Sequence, residues 1–490
     1  MVDFTEIPTE WNVPGAYGEV TMVPSGNQLT VMPLRILAIG QKGDGAGTSL
    51  VCYRNVSPSQ AKMLAGANTM LARSVALLVG AAPYVQLDLI MVDPEADATA
   101  ATGTLTFTGT PAVNATMAVV AKGVRVPFVV TPQMAVGDMA AAVVAAWTPA
   151  VQLKTGLTAA AALGAVTFTS VEKGVFANDI DLRMSTLLGD VAAGVSVAVT
   201  AMAGGAGTPD ISAAVNMVSS TWYTDMYTCL NDAANLSWLG TETARRYQAM
   251  TRLDTHVYYG FRGTYGEILT LAGTLNSRFM SCLPAQNPRW HPSEVAAVLC
   301  AVCATSLNAK PSRQMNTVVL TGLTGCAPDE ADLFDDDERN ILLESGMSTI
   351  RVLQDGTVEL ERVVTNYQQD AEGNPDTSWQ DIMVPKTATR VRYDFLTYMR
   401  DTYPRFNLVP DTSDIAAAQP GVMTPSMAVG SWVSRTKLYE QQVWLENTST
   451  LSKLASAAID DTKPNRLNGA LPMQIAGSLI VQAYSFQIQS

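Results

Sequence analysis

The chain opens on isolated apolar residues spaced by prolines: Phe4, Ile7, Trp11 and Val13 alternate with Pro8, Pro14 and, further on, Pro24. Proline cannot donate to a helix ladder and pushes the residue before it toward extended backbone, so residues 1–31 predict an extended arm. A continuous apolar run follows, Leu34-Arg35-Ile36-Leu37-Ala38-Ile39-Gly40, closed by a glycine-rich loop through Gly47, the pattern of a buried strand and turn. Ser57-Pro58-Ser59-Gln60 places a capping hydroxyl, a proline for the first helical position and a reciprocal Gln ahead of a helical period through Leu64, Leu71, Val75 and Leu78. Val85 to Val92 then reads as a strand, giving β-α-β.

From Pro94 to Gly207 the texture changes to Ala, Thr, Val and Gly with short alternating runs, such as Thr104-Leu105-Thr106-Phe107-Thr108 and Val166-Thr167-Phe168-Thr169. Alternation of this kind predicts an inserted β-rich domain, residues 94–207, ended by the linker Gly204-Gly205-Ala206-Gly207. An outward-facing decoration that can be excised is the role expected for it. Mixed signals resume with a strand at His256-Val257-Tyr258-Tyr259, an apolar helix from Ser293 to Ser306 and a strand at Thr317 to Leu320. Residues 32–93 and 208–350 therefore read as one discontinuous α/β domain, residues 351–475 as a second mixed domain, and residues 476–490 as an arm. That arm closes on Tyr484-Ser485-Phe486-Gln487-Ile488, an alternating strand in need of a sheet. The fold class is α/β and α+β, multidomain.

Composition narrows the function. Lys and Arg total 31 against 44 Asp and Glu, a formal charge of −13, which opposes sequence-independent binding to nucleic acid or anionic lipid and favours protein partners. The first six residues carry Asp3 and Glu6 and no basic or apolar leader, and the longest apolar stretches are interrupted or too short for a bilayer, so stable membrane insertion is not expected. Cys52, Cys229, Cys282, Cys300, Cys303 and Cys326 lack the spacing of a disulfide framework and predict reduced, mostly buried thiols.

Four motifs invite chemistry and are read as structural. Gly43-Asp44-Gly45-Ala46-Gly47-Thr48-Ser49 follows a strand, but lacks both the Gly-Lys-Ser/Thr ending and the G-x-G-x-x-G spacing of phosphate loops. Cys300-Ala301-Val302-Cys303 has a metal spacing inside an apolar helix with no second ligand pair. A Ser-His-Asp hydrolase would have to use His256 or His291, and no G-x-S-x-G elbow is present. Asp335-Asp336-Asp337-Glu338 lacks a calcium loop's alternating ligands and reads as the acidic start of a helix. No catalytic residue, cofactor or metal is assigned, and the chain is not expected to be an enzyme.

Several stretches resemble the contractile phage tail sheath family, in its Mu-like branch. Glu338-Arg339-Asn340-Ile341-Leu342-Leu343-Glu344-Ser345-Gly346-Met347-Ser348-Thr349 is similar to that branch's ERN-x-LL-x-x-GIST segment, with Met347 where Ile is commoner. Lys310-Pro311-Ser312-Arg313 resembles its P-x-R turn, and Gly66-Ala67-Asn68-Thr69-Met70-Leu71 its G-x-GSML helix, departing at Asn68 and Thr69. Tyr403-Pro404-Arg405-Phe406-Asn407-Leu408, Met423-Thr424-Pro425, Leu445-Glu446-Asn447 and Pro464-Asn465-Arg466-Leu467 follow in the family's order.

The resemblance implies sheath-type mixed α/β core domains and a subunit of a virion tail, assembled in the host cytoplasm. It implies a helical homo-oligomer of hexameric rings around a tail tube protein, bounded by baseplate and tail terminator proteins, contracting to drive the tube through the host envelope. It also implies arms that add strands to neighbours through Phe4, Ile7, Trp11, Val13, Tyr484, Phe486 and Ile488. The basic residues Arg435, Lys437, Lys453, Lys463 and Arg466 are candidates to face an acidic tube. The alternatives are a cytoplasmic subtilisin-like serine hydrolase and a non-contractile filament or surface-layer subunit.

Overall fold

The computed structural model describes residue 15, residues 28–416 and residues 421–487. Internal contacts divide the chain into two compact units. The larger is Met32–Arg392 with Val443–Glu446 and Met473–Ser490; the smaller is Tyr393–Gln442 and Asn447–Pro472 with the residues up to Val31.

The larger unit is built on β1 (Arg35–Gln41), whose residues Ile36 to Ile39 are all fully buried. Successive side chains of a strand point to opposite faces, so an unbroken apolar run needs cover on both. Leu37 and Ile39 enter one core cluster and Ile36 and Ala38 the other. Ser57 and Gln60 close the expected capping box ahead of α1 (Pro58–Ala65). The helical period does not run on unbroken: Gly66, at φ 114°, separates α1 from α2 (Met70–Ala81), and a Cβ there would strike the Asp44 carboxylate. β2 (Gln86–Val92) returns parallel to β1.

Next come β3 (Ala100–Gly109), β4 (Ala115–Ala121), β5 (Val124–Val130), α3 (Val136–Ala146), α4 (Pro149–Thr155), β6 (Leu157–Ala162), β7 (Ala165–Lys173), β8 (Leu182–Met184) and β9 (Val195–Ala203). They form two antiparallel sheets, ordered β6-β7-β3-β9 and β5-β4-β8. Alternate residues of β3 and β7 turn inward, bringing Leu105, Phe107, Val166 and Phe168 into a core with Trp147. This core is continuous with the β1 face that holds Leu37 and Ile39.

The chain then returns through α5 (Ser212–Asn216), β10 (Asp225–Thr228), α6 (Ala233–Tyr247), β11 (His256–Arg262), α7 (Tyr265–Ala272), β12 (Met280–Ala285) and α8 (Pro292–Ala309). All five body strands are parallel, in the order β12-β11-β10-β1-β2, so the winding reverses between β1 and β10 and the β-rich segment lies in the crossover from β2 to β10. Helix α8 is long and apolar enough for a membrane span, but most of its residues are buried inside this unit. α9 (Asp336–Glu344) leads to the antiparallel pair β13 (Thr349–Val352) and β14 (Val358–Arg362).

Two expectations need revision here. Residues 317–320 form no strand but one bridge, Val319 to Glu359, because Thr317 turns through a positive φ of 61°. The larger unit also runs past residue 350 to Arg392, because Val358, Leu360, Ile382 and Met383 complete its core.

α10 (Met383–Thr402) belongs to the larger unit as far as Arg392 and to the smaller unit from Tyr393. The smaller unit adds β15 (Asn407–Leu408), β16 (Val422–Met423), α11 (Pro425–Gln441), α12 (Thr448–Leu451) and the antiparallel pair β17 (Ser456–Ile459) and β18 (Leu467–Ala470). Phe395 and Trp432 meet edge to face with ring centres 5.0 Å apart.

Candidate functional site

The residues that suggested catalysis are placed as structure. His256 Nε2 lies 2.9 Å from Ser281 Oγ, yet among the described residues its Nδ1 has no partner and no carboxylate orients the ring, and Ser281 is fully buried. Burial first, then nearby Lys386, holds this imidazole far below its ordinary pKa. His291 caps α8: its Nδ1 accepts from the Ser293 backbone N–H at 3.2 Å and Nε2 donates to the Phe176 carbonyl at 2.8 Å, which fixes the tautomer. The ring is fully buried, and burial, followed by Lys122, pushes its pKa down to about 3. The N–H groups of Gly43, Gly45 and Gly47 are all bonded to carbonyls at the end of α1, where a Cβ on Gly45 would lie 2.2 Å from Leu64 O. Cys300 and Cys303 are buried free thiols, and Asp335 closes a capping box with Glu338. Among the described residues, no group of His, Cys, Asp and Glu could hold a metal.

The surfaces left over suit assembly. After Leu445 and Ile475 bridge, residues 477–487 make no backbone hydrogen bond among the described residues. The expected terminal strand is therefore unpaired among the described residues, with Tyr484 72% and Phe486 91% exposed. Phe4, Ile7, Trp11, Val13 and Ile488 lie outside the described residues. In the smaller unit, β17 and β18 form a sheet of only two strands and are largely exposed. Asp460 pins their turn by accepting from Thr462 and Lys463 N–H groups, each at 3.0 Å, and from Asn468 Nδ2. Lys437, Lys453, Lys463 and Arg466 are exposed.

Arg435 leaves that basic set. It is buried, donating from Nε to Asp394 Oδ2 at 3.1 Å, while the Tyr439 hydroxyl and the Thr30 N–H donate to the same carboxylate at 2.6 Å each. A guanidinium bound in this way cannot face a partner.

Sequence patterning missed the seam between the β-rich segment and the body. Lys122 and Gly123, at φ 48° and 71°, make the two-residue turn between β4 and β5, a conformation usually given to Asn, Asp or Gly. The Lys122 ammonium is fully buried 3.5 Å from Glu294 Oε1, which also pairs with Arg73. Glu172, at the end of β7, accepts from the Met70 N–H at 2.6 Å, capping α2. Burial raises the Glu172 pKa to about 7 and lowers that of Lys122 to about 8. The Lys-Gly pair between two alternating runs was the one local sign of this turn.

A cavity of about 440 Å³ opens beside the carboxyl ends of β10 and β11, walled by Phe176, Phe261, Leu230 and Leu271 with Asp179 and Glu267. Burial pushes the Asp179 carboxyl up to about 7 in spite of Arg262. With the folded pKa above the ordinary 3.8, the folded state holds this proton more tightly, so the group's contribution is complete at low pH and is lost as pH rises through 7. Asp179→Asn should therefore be more stable than the parent by a margin that grows from about pH 4 to pH 7 and then levels off. Urea midpoints across that range check this; a margin independent of pH contradicts it.

A family model described as the phage tail sheath protein central domain matches residues 204–366. Over 490 residues, 99% of each chain, the sequence is 25% identical to the Mu-like prophage FluMu tail sheath protein of Haemophilus influenzae. The matched central domain and the likeness along the full length both support a contractile tail sheath family.

Solved structures it resembles include the sheath tail protein of Listeria innocua, at TM-score 0.49 and 10% identity over 92% of this chain and 94% of that one. The anti-feeding prophage helical sheath in its contracted state follows, at TM-score 0.48 and 10% identity over 97% and 99%. The sequence likenesses support a structural tail sheath subunit, and the hydrolase alternative is not favoured. The matched central domain carries β10 to β14, including Gly346, whose φ of 74° turns the chain from α9 into β13.

Proposed function

We propose that this sheath subunit polymerises as hexameric rings around a tail tube, joined through its termini, and that the array shortens to drive the tube through an envelope. The observation that supports this reading best is an apolar, alternating C-terminal segment without a sheet in a chain that also carries a two-stranded sheet with open edges. A two-stranded pair is marginal alone and gains from added strands, and backbone hydrogen bonds hold such a junction while side chains select the register. The N-terminal residues Phe4, Ile7, Trp11 and Val13 serve as a second strand-forming arm. Lys437, Lys453, Lys463 and Arg466 face an acidic tube, and baseplate and terminator proteins bound an array assembled in the host cytoplasm. Burying about 400 Å² more apolar surface per subunit in the short state would release about 10 kcal/mol as an upper figure, enough for work when summed over an array.

Truncation tests this directly. Full-length protein forms hollow tubes in negative-stain micrographs, with a second, shorter helical state, whereas a chain ending at Ala476 remains monomeric and folded. Tubes from the truncated chain would overturn the role of the arm, and a single fixed lattice would favour a non-contractile filament.

A further inference from the structure

The cleft between β12 and β13 is open on the side where both strands run out of partners. Within β12 the odd residues face β11, as in the Val257 and Gly263 N–H bonds to Phe279 and Ala285 carbonyls, so even residues face outward. Met280 and Cys282 carbonyls there accept from Asn366 and Ser348. The next even residue is Pro284, which has no N–H, so the ladder with the 347–352 segment stops and β13 diverges.

On β13, Ile350 and Val352 stand opposite Leu360 and Val358. Those two residues spend their backbone groups on the opposite side, at Thr317, Val318 and Leu320. In an antiparallel pair this directs the N–H and C=O of Ile350 and Val352 away from β14, where they have no hydrogen-bond partner among the described residues. A cavity of about 220 Å³ lies against them, walled by Pro284, Leu333, Phe334, Ile350, Arg351 and Val352. Arg351 is exposed at its rim and joins no ion pair among the described residues.

We propose that this cleft receives an extended strand from another tail protein, with apolar side chains at alternate positions and an acidic residue opposite Arg351. The unpaired backbone of Ile350 and Val352 supplies hydrogen bonds, Leu333 and Phe334 take the apolar side chains, and the free guanidinium selects for acid. The proposal is independent of the terminal arms and of the reading given for them.

A blocked hexapeptide alternating valine and glutamate, and its valine–lysine counterpart, serve as probes on the full-length chain held below its assembly concentration. The glutamate peptide should bind saturably and slow hydrogen exchange at the Ile350 and Val352 amides, and the lysine peptide should bind at least tenfold more weakly. Ile350→Pro removes an outward N–H and should lose binding at least tenfold, whereas Ile350→Ala, which gives up the same packing against the core but keeps the N–H, should still bind and show the same protection. Arg351→Glu should reverse the preference between the two peptides. Unchanged exchange at those amides, or equal binding by Ile350→Pro, overturns the proposal. Protection of the same amides in tubes of the sheath subunit alone also overturns it, by assigning the cleft to a second copy.

Discussion

Joining Asp93 to Thr208, with residues 94–207 removed, should yield insoluble protein instead of a trimmed but functional sheath subunit. The β-rich segment was expected to be dispensable, and the structure gives two reasons to reverse that. Its core residues Leu105, Phe107, Phe168 and Trp147 share one cluster with Leu37, Ile39, Met226 and Val257 of the central sheet, so excision uncovers a full face of that sheet. Excision also removes Lys122 and Glu172, leaving Arg73 as the one cation paired with Glu294 among the described residues and the start of α2 without its carboxylate. Removing one partner of a buried pair costs about 3–5 kcal/mol, a large part of a domain's net stability. Soluble yield and far-UV circular dichroism read the result. Lys122→Ala in the intact chain separates the two causes: a lowered urea midpoint implicates the charge cluster, and no change would leave only the uncovered apolar face.

The second large effect is expected at Asp394. Its fully buried carboxylate holds Arg435, Tyr439 and the Thr30 N–H together, and Arg435 Nη1 donates further to the Gln28 carbonyl at 3.2 Å. Asp394→Ala strands a buried guanidinium and should destabilise the smaller unit by about 3–5 kcal/mol. Hydrogen exchange should then accelerate along α11. Asp401→Ala, which breaks the exposed pair with Arg400, should change nothing measurable, because solvent already screens that interaction. Rapid exchange along α11 in the unmodified chain would show that the carboxylate does not hold it.

Some of this was legible in local pattern. The run Ile36 to Ile39 required a two-sided core, the Ser57 to Gln60 box began a helix, and alternation in Val166 to Thr169 marked a half-covered strand, because each depends on residues only a few positions apart. Gly66 was harder to read: only the position of Asp44 beside it makes that glycine a helix break. The family resemblance rested on short segments in a fixed order, and those segments include Gly346, which here turns the chain at a φ of 74° that favours glycine.

The linear sequence by itself determined the element types over most of the chain and the alternating apolar pattern of residues 484–488, since periodicity, capping and alternation are properties of neighbouring residues. Only the tertiary structure decided which charges are used. Arg435 reads like Lys437 in the sequence yet is consumed by Asp394, Lys122 reads as a surface turn yet is buried against Glu294, and Pro284 opens a cleft only because β13 lies beside it. These outcomes depend on partners tens to hundreds of residues away, and burial sets whether a charge is solvated, paired or neutral.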